Sequence, residues 1–468
     1  MAASPIRVCH VFASTEGGLW VYEQLEALRR SHGCEVRVVL PAGHGSTADL
    51  FERAGIPIHR FDFRMWSLGA LLTLPFRVLG LAWWMRRERI EVVQSHIIPS
   101  TFFARPAAWL ADVPVRLTMV TSPYYLQAPS IRWVEALTAR LETGIIPSCR
   151  LTAQLYSEAG LPARLIQPVL YYGPPAERFD PARARAEGLR AELGLPAGTP
   201  LIGSVAVFYR RCDSSSFVPP EIRDKYIKGH TDLFDAMPAV LAEFPDARLV
   251  MIGKGWGPHG AETERELRDH VDAMGLSDRI VFAGWRSAAS VYMDLDVSVQ
   301  ASLNENLGGT IESLLMARPT VATRVGGMPD SVVDGETGVL VEPGDPADLA
   351  RGILSLLRDR QRSERLGQAG REKMLSGFTL ETTVPVLAQL YRRQRSAAPG
   401  AWRLHVGLIR LLLAILIGIP IFVRAMVVDL LLLNLVPRAL GKLRRGLRGS
   451  AGAPRVSAAA HDSSRRPA

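Results

Sequence analysis

Between residues 297 and 341 the chain reads VSVQASLNENLGGTIESLLMARPTVATRVGGMPDSVVDGETGVLV, and few folds accept that cadence. An apolar run ends in a polar turn around Asn304, Glu305 and Asn306. Gly308 and Gly309 follow, and a helix begins with Ile311, Leu314 and Leu315 spaced to face a core. A second strand at 319–323 and a second glycine pair, Gly326 and Gly327, bring another tight turn to the same edge. A strand, a glycine turn and a helix start leave unpaired backbone N–H groups at the positive end of the helix, where a phosphate can bind. Glu312 stands in the first turn, where a carboxylate can accept hydrogen bonds from sugar hydroxyls. Ligands of open parallel sheets sit where the strands end. The stretch therefore reads as a site for a nucleoside diphosphate.

The same alternation runs through most of the chain. Strands are expected at 6–13, 35–41, 56–63, 90–96, 113–120, 144–149 and 163–170. After a Pro-rich crossover at 171–181 they resume at 200–208, 247–257 and 280–285. Helical segments lie between them, which implies parallel sheets covered on both faces. At about 150 residues per domain, 468 residues allow two or three domains. The expected division is 1–175, 176–395, an apolar and basic segment at 396–448, and a tail at 449–468 rich in Ala, Ser, Pro and Arg that reads as disordered. Cys9, Cys34, Cys149 and Cys212 show no metal-ligand spacing and suit a reducing compartment. The N-terminal segment does not read as a secretory signal. A net charge of +9 favours an anionic partner. No aromatic-interleaved basic module points to nucleic acid.

Residues 308–341 resemble the nucleotide-sugar site of the retaining family 4 glycosyltransferases, whose GT-B fold sets two Rossmann-like domains across a cleft. The likeness rests on the Gly-rich turn, the apolar helix, and the runs PTVAT, VGGMPD and DGETGVLV, and extends over roughly 6–393. The family's two glutamates have seven residues between them. Counting back from Glu312, the first position falls on Asn304, with Glu305 one residue late. Either residue is left open for that role, which would position the transferred sugar. The resemblance also implies that Gly17, Gly18, Gly253, Gly308, Gly309, Thr310 and Glu312 border the donor. It implies that Lys228, with Arg210 or Arg211, stabilises the leaving diphosphate. Transfer with retention is implied, with neither metal nor cofactor. His96 ends the run EVVQSH on the ligand-binding edge, and is a weaker candidate for the acceptor side.

Two apolar stretches remain. Residues 65–84, MWSLGALLTLPFRVLGLAWW, carry Pro75 and Arg77, so a straight spanning helix is not expected. They read as a core helix, or else as a surface segment whose apolar face and Trp/Arg edge dip into lipid, with the first favoured. Residues 411–437 hold two apolar runs interrupted by Arg424 and Asp429. Arg403 and Arg410 flank them on one side, and Arg438, Lys442, Arg444, Arg445 and Arg448 on the other. They are expected to associate with a membrane, as a kinked helix or hairpin in one leaflet, or else to pack on the catalytic domains.

The function expected is transfer of a sugar from a nucleotide sugar to a lipid-linked or other glycan acceptor, in polysaccharide, lipopolysaccharide or glycolipid assembly. The place expected is the cytoplasmic face of the inner or plasma membrane, with peripheral or monotopic attachment. A nucleotide-sugar epimerase or hydrolase of the same fold, or an inactive membrane-bound scaffold, are the rivals.

Overall fold

The computed structural model describes residues 4–65, 67–214 and 218–397. Twelve strands form two parallel sheets. The first holds β1 (Ile6–Val11), β2 (Cys34–Leu40), β3 (Ile58–Arg60), β4 (Val92–Ser95), β5 (Val115–Val120) and β6 (Gly144–Pro147), in the order β3-β2-β1-β4-β5-β6. The second holds β7 (Leu201–Val205), β8 (Arg248–Ile252), β9 (Ile280–Gly284), β10 (Val297–Gln300), β11 (Thr320–Thr323) and β12 (Val339–Val341), in the order β12-β11-β10-β7-β8-β9. Renumbered from its own first strand, the second sheet repeats the order of the first. Strand order reverses between β1 and β4 in one sheet and between β7 and β10 in the other. A crevice opens at each reversal, because neighbouring connections depart to opposite faces of the sheet.

The strands are near-continuous apolar runs because helices cover both faces. Val8, Val38, Val92, Val115 and Ile146 build one core, and Ile202, Leu249, Val297 and Val321 another. The helix Leu380–Ala397 returns to the first domain, where Val384, Leu387 and Tyr391 join the core around β1, β2 and β5.

One expected strand is absent. Residues 163–170 form a short 3-10 turn, Ala163–Leu165, and then run beside β6 with only Gln167 and Leu170 donating backbone hydrogen bonds to Ile145 and Pro147. The step from Gln167 to Leu170 is three residues, not the two of a ladder, so the pairing does not continue as a strand.

The helix Leu68–Arg87 has the core-facing side that the first reading of residues 65–84 expected. Val78, Leu81, Ala82 and Met85 pack into a core with Phe103 and Ala107, while other positions face outward. Among the described residues, no helix is long and apolar enough to cross a membrane. The apolar runs at 411–437 lie outside the described residues.

Candidate active site

The site grows from the crevice between β7 and β10. The connection after β7 arrives at Lys228, and the connection after β10 at Asn304 and Glu305. Gly229 holds the two together. Its φ is +62°, and a Cβ there would lie 1.9 Å from the carbonyl oxygen of Ala301, so the close approach requires glycine. Leu303 N–H donates to the Ile227 carbonyl at 2.8 Å beside it. The Lys228 ammonium then pairs with the Glu305 carboxylate, both mostly buried. Burial opposes the lysine's charge, but Glu305, with help from Tyr209 and Glu312, overrides it and raises the Lys228 pKa. Glu305 also accepts the Asn306 N–H at 3.0 Å.

The second glycine pair backs this turn. Gly326 has φ +56°, and a Cβ there would fall 1.5 Å from the Glu305 carbonyl oxygen, while Gly327 N–H donates to the Asn306 carbonyl at 2.7 Å. Gly308 also lies in the left-handed region, at φ +52°. The N–H groups of Gly308 and Gly309 carry no hydrogen bond to any described residue. They precede the helix Thr310–Leu315, on which Glu312 sits. Burial pushes the Glu312 carboxyl up to about 7, against the opposing pull of Arg178 and Lys228. The result is a buried cation paired with one carboxylate and within electrostatic reach of a second, beside free backbone donors.

Adjacent residues of the turn diverge. Glu305 faces Lys228, whereas the Asn304 amide donates to the Gln127 side chain of the first domain. The Asn304 side-chain oxygen Oδ1 is buried without a partner among the described residues. Asn306 also reaches across, donating to the Tyr172 hydroxyl at 2.7 Å and accepting from Ser148 at 3.2 Å.

The first domain meets the site through its own glycine turn. Gly17 has φ +70°, and a Cβ there would stand 3.4 Å from the Trp256 ring, on the connection after β8. Gly18 N–H donates to the Thr47 hydroxyl at 2.7 Å. Gly253 opens the Trp256 connection, and a Cβ there would lie 1.9 Å from the Ala206 carbonyl oxygen. Gly17 and Gly253 thus lie on connections of the two domains that approach each other.

Other candidates sit differently. The Thr310 hydroxyl donates to the Leu307 carbonyl and lies 2.7 Å from the Ser331 hydroxyl, so it is consumed internally. Arg210 is exposed. Arg211 stacks 4.6 Å over the Tyr226 ring and donates to the Asp224 carbonyl, which ties it to its own loop. His96 is 1 % exposed, with its Nε2 2.9 Å from His10 Nδ1 and Trp20 edge-on at 4.8 Å. Burial, together with His10, holds its pKa well below the ordinary histidine value. That places His96 in the first domain's interior.

Arg178 was not singled out in the sequence. It pairs with Glu23 of the helix Leu19–His32, and its charge also acts on Glu312. The available signal was the intact RFDP run at 178–181 in the crossover. Among the described residues, the one group of His, Asp and Glu side chains close enough to share a cation is His44, Asp49 and Glu52. It is exposed and carries none of the site residues.

Known proteins match both halves. The family described as "Glycosyl transferase 4-like domain" matches residues 17–171, and "Glycosyl transferases group 1" matches 221–359. The lipopolysaccharide core biosynthesis glycosyltransferase LpsE of Rhizobium meliloti is 25% identical over 397 residues, covering 82% of this chain and 98% of the relative. The lipopolysaccharide core biosynthesis mannosyltransferase LpsB of the same organism is 29% identical, over 66% of this chain and 78% of the relative. Among solved structures, Anabaena HepE in complex with UDP and glucose superposes with a TM-score of 0.66 and 19% identity, covering 82% of this chain and 99% of that one. That likeness concerns the fold.

Proposed function

The chain belongs to the glycosyltransferases of the GT-B fold, with a glycosyl transferase 4-like domain followed by a group 1 domain, and from that premise we propose that it transfers a sugar from a nucleoside-diphosphate sugar to a lipid-linked acceptor in lipopolysaccharide or related glycan assembly, with retention of configuration. The observation that carries the proposal is the buried Lys228, paired with Glu305 and within electrostatic reach of Glu312, at the β7/β10 crevice. Departure of the nucleotide concentrates negative charge on its diphosphate. A fixed cation and free N–H groups stabilise that charge most where water is excluded. Lys228 and the N–H groups of Gly308 and Gly309 supply these. Glu312 accepts the ribose hydroxyls, and Glu305 or Asn304 orients the transferred sugar. The apolar and basic sequence at 403–445 supports a seat on the cytoplasmic membrane face.

Calorimetry with UDP-, GDP- and ADP-sugars tests the donor. UDP-sugars are the first to try, since the HepE structures contain UDP and UDP-glucose. One class is expected to bind, and more weakly in acid. A carboxylate accepts hydroxyl hydrogen bonds better than a neutral carboxyl. Glu312 takes its proton as pH falls through about 7, so affinity is expected to drop toward about tenfold per pH unit below that point. Glu312→Gln is expected to bind weakly at every pH. Lack of binding by every nucleotide sugar would sink the proposal.

The register of the turn is testable separately. Glu305, not Asn304, contacts Lys228. Glu305→Gln removes a charge-assisted bond of about 1.5–3 kcal/mol, equivalent to a rate loss of roughly 10- to 100-fold. Asn304→Ala is expected to cost less, and the reverse order in steady-state rates would assign the role to Asn304.

A further inference from the structure

We propose that the outer face of the helix Leu68–Arg87 is a docking surface for anionic lipid, distinct from the apolar sequence at 411–437. Leu72, Phe76, Leu79 and Trp83 project from this face at 49–75 % exposure. Their spacings of four, three and four residues keep them in one stripe along three turns of helix. The opposite side of the same helix is fixed in the core by Val78, Leu81 and Met85, so the stripe has no inward alternative. A row of four large apolar side chains facing water marks an interaction site, where scattered single ones would not.

Charge identifies the occupant. The stripe contains no carboxylate and ends in Arg86 and Arg87. The Arg87 guanidinium lies 5.4 Å from the Trp83 ring centroid. A tryptophan and an arginine at one end of an apolar stripe match the boundary between acyl chains and phosphate headgroups. The one arginine near mid-helix, Arg77, turns inward and donates to the carbonyls of Asp62, Arg64 and Ala70. Its charge therefore leaves the outer face apolar. The bordering carboxylates are engaged: Asp62 with Arg64, Glu88 with Arg37 and Asp112 with Arg86. A second copy would bring another basic helix end to this one, and residues 411–437 have basic flanks of their own. Anionic headgroups complement all of these charges.

The geometry also suits an interfacial position. The helix follows the C-terminal end of β3, so it starts at the sheet edge on which the catalytic crevice opens. Lipid contact along it would hold that edge near the bilayer. With Arg77 in its middle and two arginines at its end, the helix lies along the surface without spanning it.

The experiment places an environment-sensitive fluorophore on the full chain at Phe76→Cys, in a Cys212→Ser background because the other three cysteines are buried. A matched label at Val386→Cys, 52 % exposed on the helix Leu380–Ala397, serves as control. Vesicles of phosphatidylglycerol and phosphatidylcholine, with brominated acyl chains as quenchers, are the probe. The Phe76 label is expected to shift to the blue and be quenched with anionic vesicles, less with pure phosphatidylcholine, while the Val386 label stays water-like. A water-like Phe76 label on chain that pellets with vesicles overturns the proposal. So does a concentration-dependent shift without vesicles, which would mean a second copy. A shift already present in dilute, vesicle-free protein overturns it too, since the chain's own apolar segment would then cover the face. No substrate enters the readout, so failure here leaves glycosyl transfer untouched.

Discussion

Replacing Lys228 by alanine is expected to slow glycosyl transfer by roughly 10²–10³, the range for loss of one preorganised group that stabilises developing charge. In the resting site Lys228 is held by Glu305, with 15 % and 18 % of the two side chains exposed. It is thus poised beside the crevice without needing to be drawn in. A lysine already desolvated acts on a departing diphosphate more strongly than one in water, where screening would dissipate its field. The same partial exposure limits the structural cost of the substitution, because Glu305 keeps some access to water. Turnover should therefore fall far more than stability, whose loss is expected to stay below that of a fully enclosed pair. Lys228→Arg is expected to recover only part of the rate, since a planar fork does not reproduce a point charge. An unaltered single-turnover rate in Lys228→Ala, at saturating donor, would remove this residue from the mechanism.

Replacing Arg105 by methionine is expected to cost about 3–5 kcal/mol, as when one partner of a buried ionic network is removed. Arg105 is fully enclosed beneath the first domain's sheet. It donates to Glu142 at 2.8 Å, to Glu135 at 2.6 Å, to Thr138 at 2.9 Å and to Thr118 at 3.2 Å. Tyr156 donates to Glu135 as well. Burial raises the Glu142 pKa, opposed chiefly by Arg105. Without the arginine, two carboxylates would be left inside a dry core. For a domain of this size the thermal midpoint is expected to fall by roughly 6–20 °C. The sign with pH follows: unpaired buried carboxylates bind protons more readily in the folded than in the unfolded state, so the deficit should shrink as pH is lowered from 7. A midpoint within about 2 °C of the wild type, equivalent to less than about 1 kcal/mol, would mean that the network contributes little.

The order of strands and helices was legible because each element writes its own period. Apolar runs bounded by glycine and proline placed most of the strands, and the twin glycine pairs marked the turns of the site. Residues 163–170 misled because apolar content resembles a strand, whereas the chain there makes two backbone bonds to β6 out of ladder step. Glu312 was placed in the first turn of its helix by local spacing, Lys228 was pointed to by the family resemblance alone, and the structure sets both beside the β7/β10 crevice. Long-range choices were not. Asn304 and Glu305 are neighbours, and only the placement of Gln127 on one side and Lys228 on the other decides which faces which. His96 ends a strand on the ligand edge, yet His10 and Trp20 enclose it. Arg178 meets Glu23 across 155 positions of chain, and Arg105 meets Glu135 across 30. The helix Leu68–Arg87 is apolar nearly all round, so periodicity had no contrast from which to tell its core face from its outer one. Sequence alone determined the fold class and the glycine turns at the β7/β10 crevice, since backbone geometry and burial period are local properties. Tertiary structure alone decided which charges meet and which apolar face stays open, because those depend on contacts between segments that no spacing along the chain records.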